Sequence, residues 1–178
     1  MEEKKKKSGG RRAYLNDFLP NEYGEYEYKG RSMHFSGTAQ QYAQMIKLSV
    51  VAALLMAVLT IVPEFLPSVP ASRFPVSAVL WLAQLVSMGL TVYSVWKMYW
   101  GREPLREYIY KKSVLRLPGQ TAVCFGASAL LAMELIIYML IKGTGDNVFP
   151  AIARPVAALI CAAVSLQLHL MIKRSEWN

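Results

Sequence analysis

The sequence has few of the residues that build metal centres, disulfide scaffolds and common active sites. Its 178 residues include two cysteines, two histidines and two aspartates. Two widely separated cysteines exclude a disulfide-rich scaffold, and two histidines exclude a His-rich metal site. A Gly-rich phosphate loop is absent, as are the Cys-x-x-Cys, His-Glu-x-x-His and Gly-x-Ser-x-Gly motifs. We therefore expect no cofactor and no metal.

Paired acidic chemistry also lacks an obvious place in this chain. The two aspartates, Asp17 and Asp146, fall on opposite sides of the membrane in the topology that the basic residues predict. This separation leaves neither a carboxylate pair nor a Ser-His-Asp triad. We expect a noncatalytic protein. A membrane enzyme whose active site is assembled from scattered residues is the weaker alternative.

The charged and the apolar residues are sorted into separate blocks. The chain carries 20 Lys and Arg against 12 Asp and Glu, a net charge of +8, yet its mean hydropathy is +0.25 and 54% of its residues are hydrophobic. A soluble domain normally spreads its charges along its helices and strands. The pattern therefore favours a membrane protein.

Four apolar segments are candidates to cross a bilayer: three have the length outright, and the first, Ile46 to Val62, reaches it when residues 38–44 prolong its helix. A membrane-spanning helix takes about 20 apolar residues. Four such helices packed as a soluble core would leave almost no polar residues to cover it. The sequence predicts an all-α integral membrane protein with a four-helix membrane domain at 37–178, and its spans are at about 42–62, 75–99, 118–142 and 150–172.

The basic residues predict the orientation of these spans. With the N-terminus inside, 17 of the 20 Lys and Arg lie on the inner side, and only Arg73, Lys142 and Arg154 lie on the outer side. Basic residues concentrate on the cytoplasmic side of membrane proteins. Both termini are therefore predicted to be cytoplasmic. A bacterial cytoplasmic membrane is preferred, although an organellar or plasma membrane fits the same pattern.

The first 12 residues form a charged tail with glycine and serine, which predicts disorder. We interpret its charge mainly as a topology signal, and contact with anionic lipid is the alternative. The tail lacks interleaved aromatic residues, so no specific binding of nucleic acid is expected. The basic residues available for lipid contact are Lys4, Lys5, Lys6, Lys7, Arg11 and Arg12.

Residues 13–36 form a tyrosine-rich juxtamembrane segment. Aromatic and acidic residues alternate in 25–28, and Gly30 and Arg31 suit a two-residue turn, so we predict a β-hairpin whose second strand is 32–35. A lone hairpin is marginal in water and should lean on another surface. The segment is either an ordered linker or a docking element whose candidate contacts are Tyr23, Tyr26, Tyr28 and Phe35.

The inner loop 101–118 is predicted to be an amphipathic helix that lies on the membrane surface. Pro104 suits its first turn, and Leu105, Tyr108 and Ile109 would share its apolar face. An ordinary short connector along the bilayer fits the same residues.

Three polar residues inside the predicted spans are candidate functional residues: Glu134, Arg154 and Gln84. A carboxylate in the bilayer is costly unless it is protonated, paired or hydrated. Glu134 is interpreted as a structural partner of Arg154 across the last helical hairpin, as a contact to another subunit, or as a titrating transport site with Gln84 as a neutral ligand.

Small residues recur every four positions in the fourth span. They allow close approach of another backbone, and we favour packing within the chain over an interface between subunits. The residues of this stripe are Ala153, Ala157, Cys161 and Ser165.

The two cysteines are interpreted as small buried residues. They are separated in depth by roughly 10 Å and so are too far apart for a disulfide.

Two functions fit these features. The leading hypothesis is a noncatalytic accessory or scaffolding subunit that binds a protein partner in the membrane. The alternative is a small transporter or channel that self-associates and uses Glu134 in the membrane. The sequence does not identify the partner or the transported species.

Overall fold

The structure is a computed structural model that describes residues 18–67, 75–101, 104–144 and 147–178. About 75% of it is helical. Within the described ranges, four helices are long and apolar enough to cross a membrane, which confirms the predicted number. They are α1 (Ala39–Ile61), α2 (Pro75–Gly101), α4 (Leu117–Lys142) and α5 (Val148–Lys173), and a short helix α3 (Glu107–Lys112) precedes α4.

Local sequence signals account for the helix ends. Thr38 caps α1 because its hydroxyl accepts the Gln41 amide at 3.2 Å, while the Gln41 side chain accepts the Thr38 amide at 2.9 Å. Pro118 occupies the first turn of α4, where its missing N–H costs no hydrogen bond. A 3₁₀ turn that contains Pro63 follows the end of α1.

The four long helices form a closed ring in the order α1, α2, α4, α5, and α5 packs back on α1. We call the end where α1 begins and α5 ends the capped end, and the opposite end the far end. The core between the helices is filled mainly by apolar side chains. Its fully buried members include Met56, Met98, Leu117 and Leu168.

The strands correct the predicted hairpin. Strand β2 (Tyr26–Tyr28) pairs with the preceding β1 (Phe18–Pro20), and β3 (Ser32–Met33) pairs with β4 (Leu105–Arg106) in the loop before α3. The predicted pairing of 25–28 with 32–35 is therefore wrong. We call β1, β2 and their turn the tyrosine hairpin.

The turn of the tyrosine hairpin explains this outcome. The Asn21 carboxamide oxygen accepts the amides of Tyr23 at 3.0 Å and Glu25 at 2.9 Å. Gly24 adopts a positive φ of 79°, which few other residues tolerate. These bonds close a tight turn one strand earlier than predicted.

The inner loop is only partly the predicted helix. Leu105 lies in β4, fully buried, so the helix starts after it, and Pro104 is not in the first helical turn. The helix itself is six residues long and carries a Lys111–Glu107 ion pair at 2.6 Å. Leu105 and Arg106 are extended because they form strand β4, which pairs with β3.

The C-terminus closes the capped end. The backbones of His34 and Asn178 exchange two hydrogen bonds, at 2.8 and 2.9 Å, and Phe35 forms a bridge with Trp177. The Trp177 ring contacts three aromatic rings at centroid distances of 5.4 to 6.0 Å. We call this group the aromatic cluster, and it comprises Phe35, Tyr42, Tyr110 and Trp177.

Some sequence predictions fall outside the described residues. The basic tail 1–12 and the outer-side Arg73 are among them. The lipid contacts predicted for the tail therefore stay predictions.

Candidate functional site

A polar cavity of about 150 Å³ lies inside the ring toward the far end. Apolar residues of α1, α2, α4 and α5 make up about half of its lining, and polar residues make up the rest. The polar residues that line the cavity are Thr60, Glu64, Ser77, Trp81, Gln84 and Arg154.

Gln84 links three helices at the inner wall of the cavity. Its side-chain nitrogen donates to the Thr60 hydroxyl of α1 at 3.0 Å and to the Cys161 sulfur of α5 at 3.4 Å. The Thr60 hydroxyl in turn donates to the Met56 carbonyl at 2.8 Å. Gln84 is 2% exposed, and its carboxamide oxygen has no hydrogen-bond partner among the described residues.

Gln84 belongs to a buried polar stripe on α2. Spacings of seven, three, four and three residues keep the stripe on one face of the helix. Two of its four hydroxyls are satisfied within α2: Ser87 donates to the Ala83 carbonyl and Thr91 to the Ser87 carbonyl, both at 2.8 Å. The other two, of Ser77 and Ser94, donate to side chains of α4. The members of the stripe are Ser77, Gln84, Ser87, Thr91 and Ser94.

Arg154 lies in the second turn of α5 and is only 7% exposed. One of its terminal nitrogens donates to the Leu66 carbonyl at 3.2 Å, and the other lies 3.7 Å from a Glu64 carboxylate oxygen. Its Nε has no hydrogen-bond partner among the described residues. Arg154 is therefore a buried cation whose ion pair with Glu64 is longer than a hydrogen bond.

The structural pair predicted between Glu134 and Arg154 is not formed. Glu134 is half-buried on α4, and each of its carboxylate oxygens lies 2.7 Å from the Ser77 hydroxyl of α2. The ion pair of Arg154 is instead made with Glu64, which follows α1 and reaches the mouth of the cavity. The counter-ion of Arg154 therefore lies in the α1–α2 connection and not on α4, where the sequence predicted it.

The small-residue stripe of α5 turns mostly into the ring. Ala157, Cys161 and Ser165 are buried within the chain, whereas Ala153 is half-buried beside a shallow apolar groove between α1 and α5.

The two cysteines are closer than the sequence argument placed them. Their side chains interact directly, as free thiols. His169 of α5 lies 2.9 Å from the Pro118 carbonyl of α4, so α5 extends one turn beyond α4 at the capped end. Cys124 lies six residues from Pro118 along α4, and Cys161 lies eight residues from His169 along α5. At about 1.5 Å per residue, the two cysteines therefore differ in depth by about 3 Å. The predicted separation of roughly 10 Å is therefore wrong.

The docking candidates separate into two groups. Tyr23 and Tyr26 are 89% and 75% exposed on the tyrosine hairpin. Tyr28 packs edge-on against Phe18 at 5.3 Å, and the Arg106 guanidinium lies 5.2 Å from the Tyr28 ring. Phe35 belongs to the aromatic cluster, so it holds the capped end together.

Sequence reasoning missed Thr60, Ser77 and Glu64 as members of the cavity. The spacing of seven residues between Ser77 and Gln84 signals a shared face of α2, but nothing in the sequence identifies the α1 residues that meet that face. In the part of the chain that the structure describes, no group of three or more His, Cys, Asp or Glu residues is placed to hold a metal ion.

No family model, curated protein or solved structure matches this chain. Function is therefore inferred from the residues and their geometry.

Proposed function

We propose that the four long helices cross a lipid bilayer and that the chain is a noncatalytic subunit that binds a partner protein at the capped end. Large apolar side chains are exposed on all four long helices, among them Leu54, Val86, Leu130 and Leu159. Exposure on this scale is unfavourable in water and ordinary against lipid.

The distribution of charge supports a cytoplasmic capped end. Lys97, Lys111, Arg116 and Lys173 lie there, at the ends of helices or in the loop between them. The far end has Lys142 and the buried Arg154 in the described ranges. By the positive-inside rule the capped end faces the cytoplasm, and we retain a bacterial cytoplasmic membrane as the proposed location.

The tyrosine hairpin is the observation that carries the docking proposal. It presents two exposed tyrosines, Tyr23 and Tyr26, on a backbone closed by hydrogen bonds to Asn21. Tyrosine supplies a large, rigid contact surface that loses little conformational entropy on binding, and it is enriched at protein interfaces.

The tyrosine hairpin is also fixed to the rest of the capped end. The Arg106 guanidinium lies 5.5 Å from the Phe18 ring and 5.2 Å from the Tyr28 ring, a cation–π contact that joins the hairpin to β4. A partner bound to the hairpin would therefore be held in a defined position relative to the helices.

The experiment compares wild type with the double substitution Tyr23→Ser and Tyr26→Ser, each expressed at natural abundance in the source organism. Native mass spectrometry of the gently solubilised protein should show a second polypeptide at fixed stoichiometry with wild type. The double variant should lose it. Tyr99→Ser, an equally polar exchange at an exposed tyrosine of α2, is the matched control and should retain it.

Two results would contradict docking through the hairpin. One is a wild-type protein that is recovered alone or as a homo-oligomer. The other is a partner that stays bound to the double variant at the wild-type ratio.

Transport by a homo-oligomer is the second proposal, and the polar cavity is the observation that favours it. Within one chain the cavity does not continue to the capped end, because Met56, Cys124 and Leu168 fill the core on that side. A route would therefore require self-association or movement of the helices. Glu134, bonded to Ser77 beside the cavity, is the group proposed to titrate.

Glu134→Gln tests the transport proposal. The amide still accepts from Ser77 but cannot carry a proton, so assembly should survive while pH-dependent flux into proteoliposomes is lost. Glu176→Gln, at an exposed glutamate of the capped end, is the control and should keep the flux. Flux that Glu134→Gln leaves unchanged would remove this proposal.

A further inference from the structure

Lys47 is the one charged residue of α1, and it lies on the outer surface of that helix. It stands five residues inside the predicted span 42–62, which corresponds to a depth of about 8 Å. No ion pair among the described residues includes Lys47. A cation inside a bilayer is costly unless it reaches the interface or pairs with an anion. Lys47 therefore favours an anionic partner from outside the chain.

An apolar groove surrounds Lys47 in the half of α1 nearer the capped end. Positions 43 and 51 of its lining are about 12 Å apart along the helix, close to the hydrocarbon thickness of one leaflet, about 15 Å. None of the described residues that line the groove is acidic. We call it the lysine groove, and its lining includes Ala43, Ile46, Lys47, Val50 and Val51 of α1 and Tyr99 of α2.

The direction of α1 suits Lys47 to contact a lipid headgroup. Cα–Cβ bonds in a helix tilt toward its N-terminus, and α1 begins at the capped end. The Lys47 side chain therefore leans toward the level at which headgroups would lie, while its methylene groups cover apolar surface. Tyr99 is 54% exposed beside the groove, and tyrosine is enriched at this level of membranes.

The charge of the lysine groove favours one kind of headgroup. A zwitterionic lipid carries a positive amine beside its phosphate, and the lining offers no carboxylate to pair with that amine. An anionic headgroup complements Lys47 without this cost. The proposed cytoplasmic capped end also places the groove in the leaflet that has a negative surface potential.

We infer that the lysine groove binds one phospholipid with an anionic headgroup, drawn from the cytoplasmic leaflet. Its acyl chain lies along α1, and its phosphate pairs with the Lys47 ammonium. This inference rests on the proposed membrane placement. It is independent of docking through the tyrosine hairpin and of transport through the polar cavity.

Lipid titration of the purified full-length protein tests the inference. The protein is stripped of lipid in detergent and titrated with phosphatidylglycerol or with phosphatidylcholine of identical acyl chains, and native mass spectrometry counts the lipids bound. The first phosphatidylglycerol should bind about fivefold more tightly than the first phosphatidylcholine. Glycerol phosphate, which has the headgroup charge but no acyl chain, should not bind at these concentrations.

Substitutions at Lys47 assign the preference to its charge. Lys47→Gln should reduce the preference for phosphatidylglycerol to near one, and Lys47→Arg should keep it. Lys173→Gln, at an exposed lysine of the capped end, is the control and should keep the wild-type preference.

A filled groove tests the position of the acyl chain. Ala43→Trp places a large ring in the lysine groove and should weaken the binding of both lipids about fivefold. Ala122→Trp, at an exposed alanine of α4 near the same end, is the matched control and should bind both lipids as wild type does.

The inference is overturned if wild type binds the two lipids equally, or if Lys47→Gln keeps the preference for phosphatidylglycerol. Lipid binding that Ala43→Trp leaves unchanged would also overturn it. Binding of neither lipid would contradict the membrane placement as well, so the failure of the lipid site alone is recognised by equal binding of the two.

Discussion

At the scale of single residues, Thr60 connects three helices in the polar interior. Its hydroxyl receives a hydrogen bond from Gln84 of α2, donates one to its own helix, and lies 3.8 Å from the Cys161 sulfur of α5. The indole nitrogen of Trp81 also donates to the Thr60 carbonyl, at 3.3 Å. One side chain and its backbone therefore tie α1 to both of its neighbours in the ring.

Replacing Thr60 tests this arrangement. Thr60→Val keeps the shape of the side chain but removes the acceptor of the Gln84 hydrogen bond. The free energy of unfolding in mixed detergent micelles should therefore fall by about 1–2 kcal/mol. Thr60→Ser keeps the hydroxyl and should lose less than half of that. A Thr60→Val variant as stable as wild type, or a Thr60→Ser variant that loses more than Thr60→Val, would contradict a stabilising role for this hydrogen bond.

At the scale of elements, the capped end is built from segments that are distant in sequence. Strand β3 meets β4 across more than 70 residues of chain, and the backbone at 34–36 bonds to the C-terminal residues 176–178. The aromatic cluster fills the space between these pairings. The closure of the bundle at this end therefore depends on the last few residues.

Trp177→Ala should weaken that closure. The substitution removes ring contacts to Phe35, Tyr42 and Tyr110, so we expect a loss of about 2–3 kcal/mol in the free energy of unfolding. Amide hydrogen exchange should also rise at 34–36. The control is Trp100→Ala, at an exposed indole of α2, which should cost less than about 1 kcal/mol.

The sequence predicts these elements unevenly, for physical reasons. The four long helices follow from composition, because apolar runs of that length have few alternative structures. The pairing of β3 with β4 depends on packing between distant segments, so local pattern does not reveal it. The tyrosine hairpin could have been predicted, because Asn21 and Gly24 together form a turn signal. The predicted pairing of 25–28 with 32–35 did not take this signal into account.

The candidate site shows the same division. Gln84 and Arg154 stand out as polar residues in apolar runs, and both line the cavity. Their partners could not be predicted, because the level at which neighbouring helices meet depends on how far each extends beyond the next. The 3₁₀ turn after α1 brings Glu64 to Arg154, while α2 brings Ser77 to Glu134.

At the scale of the whole molecule, the sides and the two ends of the ring differ in chemistry. The sides are covered by exposed apolar residues of all four long helices. The capped end carries strands, basic residues and the tyrosine hairpin, whereas the described far end consists of helix ends, the 3₁₀ turn and the mouth of the polar cavity. The proposed placement, with a bilayer around the sides and the cytoplasm at the capped end, is consistent with this arrangement.

Labelling of single added cysteines with a membrane-impermeant maleimide tests this central claim most directly. Asn147→Cys should react in intact cells, whereas Glu22→Cys and Asn178→Cys should react only after the membrane is opened. The unsubstituted protein sets the background, because its own cysteines, Cys124 and Cys161, are buried. Reaction of Glu22→Cys or Asn178→Cys in intact cells, or protection of Asn147→Cys there, would contradict the proposed topology.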